Sequence, residues 1–256
     1  MTILVTGGKG IGGAVAAALR AGSRAVTTIG RTGDIRADLS LLSETARATE
    51  RVPAQVDAIV CCAGVLSTVA ERTGEGMERA LALNYLSRYV LIRNLLPRLV
   101  PGGRIVLVAN AGKYPDTLHI ADLNLRGGGR GLWVSGRTQF ANDLLAVALA
   151  ARTPATVSCV YPGLVATRAL HDARGVPGVL RAAAADVHRV LARSPAAAAE
   201  TPARLAVDAE LPGGFYGPGC RPLRIPGRVS AARAAELWAA TEELTRPWLA
   251  AEQAQR

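Results

Sequence analysis

The sequence predicts an α/β protein built on one doubly wound parallel sheet. Three observations carry that prediction. Apolar runs recur along the chain, TILVT (Thr2 to Thr6), AIVCC (Ala58 to Cys62), RIVLVA (Arg104 to Ala109) and TVSCV (Thr156 to Val160), and near-continuous apolarity suits strands covered on both faces. Stretches with helical spacing alternate with these runs, as the crossovers of a parallel sheet require. The first run stops at the glycine-rich GGKGIGG (Gly7 to Gly13), where a tight backbone must approach something closely. At 256 residues and 50% hydrophobic content the chain can bury one good core, so one domain is expected over residues 1–256.

Taken in order, Thr2 to Thr6 is a buried strand and Ala14 to Arg20 the helix after the glycine turn. Gly8, Gly10 and Gly13 satisfy the GxGxxG spacing in the strand, turn and helix context that supports dinucleotide binding. A helix starting there points free N–H groups and a positive dipole end at a pyrophosphate. Arg24 to Gly30 is the second strand, followed by Arg31 where an acid would serve the ribose hydroxyls of NAD. A guanidinium there suits a 2′-phosphate and favours NADP(H), a preference moderated by nearby Asp34. The connection from Arg31 to Asp38-Leu39 is too short for a full helix.

Leu41 to Arg51 reads as helix, Ala58 to Cys62 as strand, and Glu75 to Leu99 as a long helix ended by Pro101-Gly102-Gly103. Arg104 to Ala109 is a strand, and Asn110 to Gly131 is irregular. Thr138 to Arg152 is a helix and Thr156 to Val160 a strand, with a turn at Pro162-Gly163. Ala166 to Arg193 is expected to be a helical substrate lid. A helix over Ala196 to Ala209, a short strand at Gly214 to Gly217 and a helix over Ala231 to Thr245 complete the order.

Composition excludes several classes. The net charge of +10 does not mark a nucleic-acid binder, because Lys9 and Lys113 are the only lysines and the arginines are scattered. No apolar run reaches ~18 residues and no basic region precedes the first strand, so no signal peptide, no membrane span and a cytoplasmic location are expected. The 4 cysteines have no metal-ligand spacing and are too few for a disulfide framework. No metal site is expected.

The order of elements resembles the short-chain dehydrogenase/reductase superfamily, a set of Rossmann-fold enzymes, over essentially the whole chain. The landmarks are TGGKGIGG, Asp38-Leu39, CCAG (Cys61 to Gly64) in place of NNAG, Asn84, RIVLVAN and YPGLVAT (Tyr161 to Thr167). ADLNL (Ala121 to Leu125) and FAN (Phe140 to Asn142) are most similar to the branch of retinol dehydrogenases and protochlorophyllide reductases. The resemblance implies an NADP(H) site formed by Gly7, Gly8, Lys9, Gly10, Ile11, Gly12, Arg31, Asp38, Leu39, Cys62, Ala63, Gly64, Pro162 and Gly163. The first turn is one residue shorter than the family's TGxxxGxG, which shifts the phosphate contacts.

The family's catalytic tyrosine, lysine and serine are replaced. Aligned on FAN, the tyrosine position falls on Ser135, the lysine on Gln139 and the serine on Asn110, and only Asn84 is kept. A register setting Trp133 and Arg137 in YxxxK spacing restores neither residue. Loss of a positioned general acid is worth ~10²- to 10⁴-fold in rate. Three readings follow. Tyr114, beside Lys113, or His119 replaces the proton donor; or the substrate is an imine or iminium, oriented by Asn110 and Ser135, that needs no acid; or Asn110, Ser135 and Arg137 hold a substrate for non-redox chemistry or the protein senses dinucleotide.

The plain alternative for Asn110 and Ser135 is that both are satisfied polar residues. The expected function is reduction of a small hydrophobic imine or carbonyl compound in a specialised, secondary-metabolite pathway. Leu164, Val165, Leu170, Val176, Val179 and Leu180 of the lid set the hydrophobic preference. The family also pairs its long helices across homodimers or homotetramers, which the resemblance extends to this chain.

Overall fold

The computed structural model describes residues 1–165 and 192–250. Its seven strands are β1 (Thr2–Thr6), β2 (Ala25–Ile29), β3 (Val56–Cys61), β4 (Leu99–Val108), β5 (Thr156–Val160), β6 (Gly214–Gly217) and β7 (Arg221–Leu223). They form one sheet in the order β2-β1-β3-β4-β5-β6-β7. All neighbours are parallel except β7, which turns back against β6. Register sets Thr6 beside Cys61, Cys61 beside Leu107 and Val108 beside Val160, so the carboxyl ends of β1, β3, β4 and β5 meet along one edge. The strand order reverses at β1 and β3, and the crevice outside that reversal is where open α/β sheets bind ligands.

The α-helices among the described residues are α1 (Gly10–Ala21), α2 (Leu42–Glu50), α3 (Arg79–Leu81), α4 (Ser87–Leu95), α5 (Trp133–Ala150), α6 (Pro195–Val207) and α7 (Ala231–Thr245). A π-helical turn, Ala82–Leu86, joins α3 to α4. Alternate strand residues build two cores. Leu4, Ile59, Ile105, Leu107 and Phe215 face α2, α4, α5 and α7, whereas Ile3, Val5, Val60, Val106 and Val160 face α1 and α6. The second layer is thin because α1 and α6 are rich in glycine and alanine, which lets both helices sit close to the sheet.

Several boundaries differ from expectation for identifiable reasons. Helix α1 begins at Gly10 instead of Ala14, so Gly10, Ile11, Gly12 and Gly13 form its first turn. The long helix begins at Arg79 because Glu78 is its cap, accepting from Ala80 N and Leu81 N, both at 2.8 Å. Glu75 instead accepts the N–H groups of Leu42 and Ser43 at the start of α2. Pro101-Gly102-Gly103 lies inside β4 as an irregularity between Leu99 and Arg104, not beyond the end of a helix. Helix α5 begins at Trp133, not Thr138, which brings Ser135 and Arg137 into its first turns. Antiparallel β7 was not foreseen; its Pro222 and the short span Arg221–Leu223 give little strand signal.

The expected lid falls mostly in residues 166–191, outside the described residues. Its flanks are joined: Val165 and Arg193 form a parallel bridge, and Arg193 N donates to Leu164 O at 2.8 Å.

Candidate active site

The glycine turn is built around Thr6, the last residue of β1, whose Oγ1 accepts the N–H groups of Cys62 at 3.0 Å and Ala63 at 3.1 Å. That ties the end of β1 to the CCAG segment after β3. Gly7 has φ +91°, and a Cβ on it would lie 3.5 Å from Ala63. At Gly12 a Cβ would come within 2.2 Å of Gly7 O, so α1 approaches the strand end as only glycine allows. A Cβ on Gly8 would meet Thr32 Oγ1 at 2.8 Å, which places the loop after β2 against the same turn. Lys9 caps α1 by its extended backbone alone, and no acidic residue stands in the first turn. The leading N–H groups therefore have no side-chain acceptor, the arrangement that receives an anion.

At the end of β2, Arg31 is exposed and makes no hydrogen bond or ion pair among the described residues. Asp34 is turned back onto the strand. Its Oδ2 accepts from Thr28 N, Thr28 Oγ1 and Arg20 Nη2, each at 2.8 Å. The Thr28 bonds, with smaller help from Arg20, hold its carboxyl below the usual range. The free charge at this point is therefore positive. Asp38 caps its own turn through Ser40 N and Oγ, while Leu39 is buried.

Asn84 sits in the π-helical turn and is fully buried. Its Nδ2 donates to Val65 O and Thr138 Oγ1, both at 3.0 Å, and its Oδ1 accepts from Val65 N at 2.8 Å. The Asn84 carbonyl accepts from Asn142 Nδ2 at 2.9 Å. Asn84 thus clamps the segment after Gly64, whose Cβ position lies 3.3 Å from Asn84 Oδ1. Ser135 is likewise engaged, its Oγ donating to Ser67 O at 2.8 Å and accepting from Ser67 N at 2.7 Å. Gln139, one turn along α5, is half-buried, and its side chain makes no hydrogen bond among the described residues.

Asn110 differs. It follows the end of β4, is 2% exposed, and its Nδ2 is buried with no hydrogen-bond partner. Buried polar groups are nearly always satisfied, so an open amide at a strand's carboxyl end stands out. The loop beyond it turns through Ala111 (φ 45°) and Gly112 (φ 78°). Asp143 of α5 holds that turn, with Oδ2 accepting from Gly112 N at 2.9 Å and Oδ1 from Cys159 Sγ at 3.3 Å. Burial pushes the Asp143 carboxyl up to about 6.

Sequence reasoning missed Asp143 and Arg88. An acid inside the otherwise apolar ANDLLAVALA was the available signal for the first. Arg88 is 3% exposed and donates to Ala63 O at 2.9 Å, Val108 O at 2.9 Å and Asn142 Oδ1 at 3.1 Å. Arg137 does not face a substrate position: its Nη2 meets Glu78 Oε2 at 2.7 Å and its Nη1 meets Leu123 O at 2.7 Å, with both charged side chains buried.

Tyr114 is exposed on the rim, and a Cβ on Gly136 would lie 3.7 Å from its Cδ1, so its ring leans over the start of α5 beside Ser135. His119 is exposed in the same loop, and its backbone opens the short helical turn Ile120–Asp122. Leu132, Leu164 and Ile225 are also exposed. Pro162 and Gly163 (φ +86°) follow β5, with Arg193 Cδ 3.2 Å from the Cβ position of Gly163. The carboxyl edge therefore gathers the glycine turn, CCAG, Asn84, Asn110, Ser135 and Pro162-Gly163. Among the described residues no group of three or more His, Cys, Asp or Glu side chains is placed to hold a metal ion, and no helix is long and apolar enough to cross a membrane.

No family model and no curated protein matches the sequence. Solved structures do match. An uncharacterised protein from Mycobacterium paratuberculosis is 26% identical with a TM-score of 0.68, the match covering 96% of this chain and 93% of that one. The 3-alpha-hydroxysteroid dehydrogenase of a Pseudomonas species, solved with NADH, is 24% identical with a TM-score of 0.67, covering 85% of this chain and 94% of that one. A short-chain dehydrogenase family protein from Francisella tularensis is 22% identical with a TM-score of 0.64, over 84% of this chain and 96% of that one. The fold is the Rossmann-like fold of short-chain dehydrogenases.

Proposed function

We propose that this chain is an NADP(H)-dependent oxidoreductase of the short-chain dehydrogenase/reductase type, with an atypical site that reduces a hydrophobic carbonyl or imine compound. The observation that carries the reading is the glycine cradle at the strand-order reversal, where Gly7, Gly8 and Gly12 leave room that a Cβ would fill. The uncommitted Arg31 beside it, with Asp34 turned away, favours the 2′-phosphate. The similarity of ADLNL and FAN to the retinol dehydrogenase branch agrees with a hydrophobic substrate, as do the exposed Tyr114, Leu132 and Leu164 along the edge.

The bound dihydronicotinamide would supply the hydride. Asn110 Nδ2 then donates to the oxygen or nitrogen of the electrophile and orients it. Ser135 holds the Val65 to Val69 segment through Ser67, and Gln139 brings no charge. The site thus polarises its substrate by a neutral amide, with Tyr114 on the rim as the phenol nearest the start of α5.

Fluorescence titration with NADPH and NADH tests the cofactor half of the reading. NADPH is expected to bind the more tightly, and Arg31→Ala to weaken NADPH by about tenfold or more while changing NADH little, the scale of one charged phosphate contact. Oxidation of the bound NADPH by hydrophobic ketones or cyclic imines tests the chemistry. Tight binding without oxidation by either class leaves the non-redox or sensing role; no binding of either nucleotide removes the reading.

A further inference from the structure

Arg88 is a charged group packed directly against both the CCAG segment and the end of β4. Its Nη2 reaches Ala63 O, one residue from Gly64 and against Gly7 of the cradle, and its Nη1 reaches Val108 O, two residues before Asn110. Every partner is a neutral oxygen: two backbone carbonyls and the Asn142 amide. No carboxylate among the described residues pairs with it, and its Nε is buried without a partner. Buried charges are ordinarily paired. Burial lowers the Arg88 pKa, but a guanidinium stays protonated at neutral pH. Asp143, the buried acid of α5, bonds Gly112 N and Cys159 Sγ and forms no ion pair with Arg88.

We infer that Arg88 is a fixed positive charge, unpaired with any described carboxylate, behind the CCAG segment and the end of β4, and that it selects the reduced cofactor and an electrophile that enters neutral. This rests on the dinucleotide reading above. The nicotinamide ring is neutral in NADPH and carries a positive charge in NADP⁺, so a cation held in a low-dielectric region close to it disfavours only the oxidised form. The same field opposes a preformed iminium and favours a ketone or aldehyde, whose oxygen gains negative charge as hydride arrives. With a dihydronicotinamide bound, the hydride it supplies would carry two electrons to the carbonyl carbon, and the oxygen would take its proton from solvent or the rim. Arg88 lies on α4, on the sheet face that this helix shares with α2, α5 and α7, where its neighbours Tyr89, Val90 and Leu91 are covered.

The test compares dissociation constants of NADPH and NADP⁺ by calorimetry for the wild type, Arg88→Lys and Arg88→Met, with thermal denaturation to establish folding. The wild type is expected to prefer NADPH by about tenfold or more, a shift of about 30 mV in the potential of the bound two-electron couple. Arg88→Lys should keep most of that preference, and Arg88→Met should bring the two constants together. If the methionine variant does not fold, Arg88→Gln, which retains an amide donor for the carbonyls, carries the same comparison. Equal binding of the two forms by the wild type, or an unchanged ratio after the charge is removed, overturns the inference while leaving the cofactor reading intact. Binding of neither form by the wild type overturns both.

Discussion

Asn110 shows how much of a site can depend on one atom. Its Nδ2 is buried and unpartnered, whereas the hydroxyl of Ser135 is spent on both backbone atoms of Ser67. The two residues that the sequence sets side by side as orienting groups therefore have different work. Asn110→Ala should lower kcat on a responsive ketone by about 100-fold, the lower end of the range for losing an oxyanion donor, while the NADPH dissociation constant stays within about twofold. Steady-state kinetics with a parallel binding titration would show this, and an unchanged kcat would return Asn110 to a packing role. Asp143 makes a second residue-level case. Its folded pKa of about 6 lies above the ordinary carboxyl value of 3.8, so the folded state holds a proton that the unfolded chain releases between those values. Stability conferred at low pH is lost as pH rises from about 4 to about 6, a loss on the order of 3 kcal/mol at the value of one pKa unit per 1.36 kcal/mol. The stability difference between Asp143→Asn and the wild type should accordingly move in the variant's favour across that window in denaturant titrations. A difference that does not vary with pH would exclude the burial penalty.

Elements rather than residues decide how the loops over the site are held. Helix α5 reaches Trp133 because its first turns bind other parts of the chain: Ser135 holds Ser67, and Arg137 holds Glu78 and Leu123 O. Glu78 in turn caps α3 and receives Arg137, so one buried carboxylate joins two helices and the 120–125 loop. Arg137→Met should destabilise the fold by about 3–5 kcal/mol, because it leaves Glu78 as an unpaired buried charge, and urea denaturation would measure it. A loss below about 1 kcal/mol would mean that the Arg137–Glu78 pair does little to hold the two helices together. This element also explains where the sequence was legible. Strands Thr2–Thr6, Thr156–Val160 and Gly214–Gly217 and helix Ala231–Thr245 match their expected bounds, because each pattern is local. The start of α5 was not legible, since Trp133, Ser135 and Gly136 resemble loop residues until their partners are known. Arg88 was hidden for the same reason: an arginine among helical apolar residues reads as a solvent-facing charge, and only the carbonyls of Ala63, just beyond β3, and of Val108 in β4 show otherwise.

At the scale of the whole molecule, β2 is an edge strand, and the segment after it folds back instead of adding a further helix: Ile35 pairs with Ile29, and Ile35, Ala37 and Leu39 are buried. The short Arg31 to Asp38 connection expected from sequence is thus accommodated by packing onto the sheet's end. The cradle, by contrast, is complete without that helix, since Thr6, Gly7, Gly12 and the CCAG amides are tied together by β1, β3 and α1. A preformed cradle means that ligand binding adds its free energy to the native state without first ordering the turn. At a ligand concentration 100 times the dissociation constant the added stability is about 2.7 kcal/mol, and for a domain of this size that corresponds to about 5–10 °C in Tm. NADPH should raise the midpoint of thermal unfolding by that amount, with NADH at the same concentration producing a smaller rise if Arg31 reads the 2′-phosphate as proposed. Differential scanning calorimetry with both nucleotides and with free phosphate separates the cases. A rise with phosphate equal to that with NADPH would reduce the cradle to an anion site; no rise with any of them would leave the glycine turn as a packing device for α1 alone.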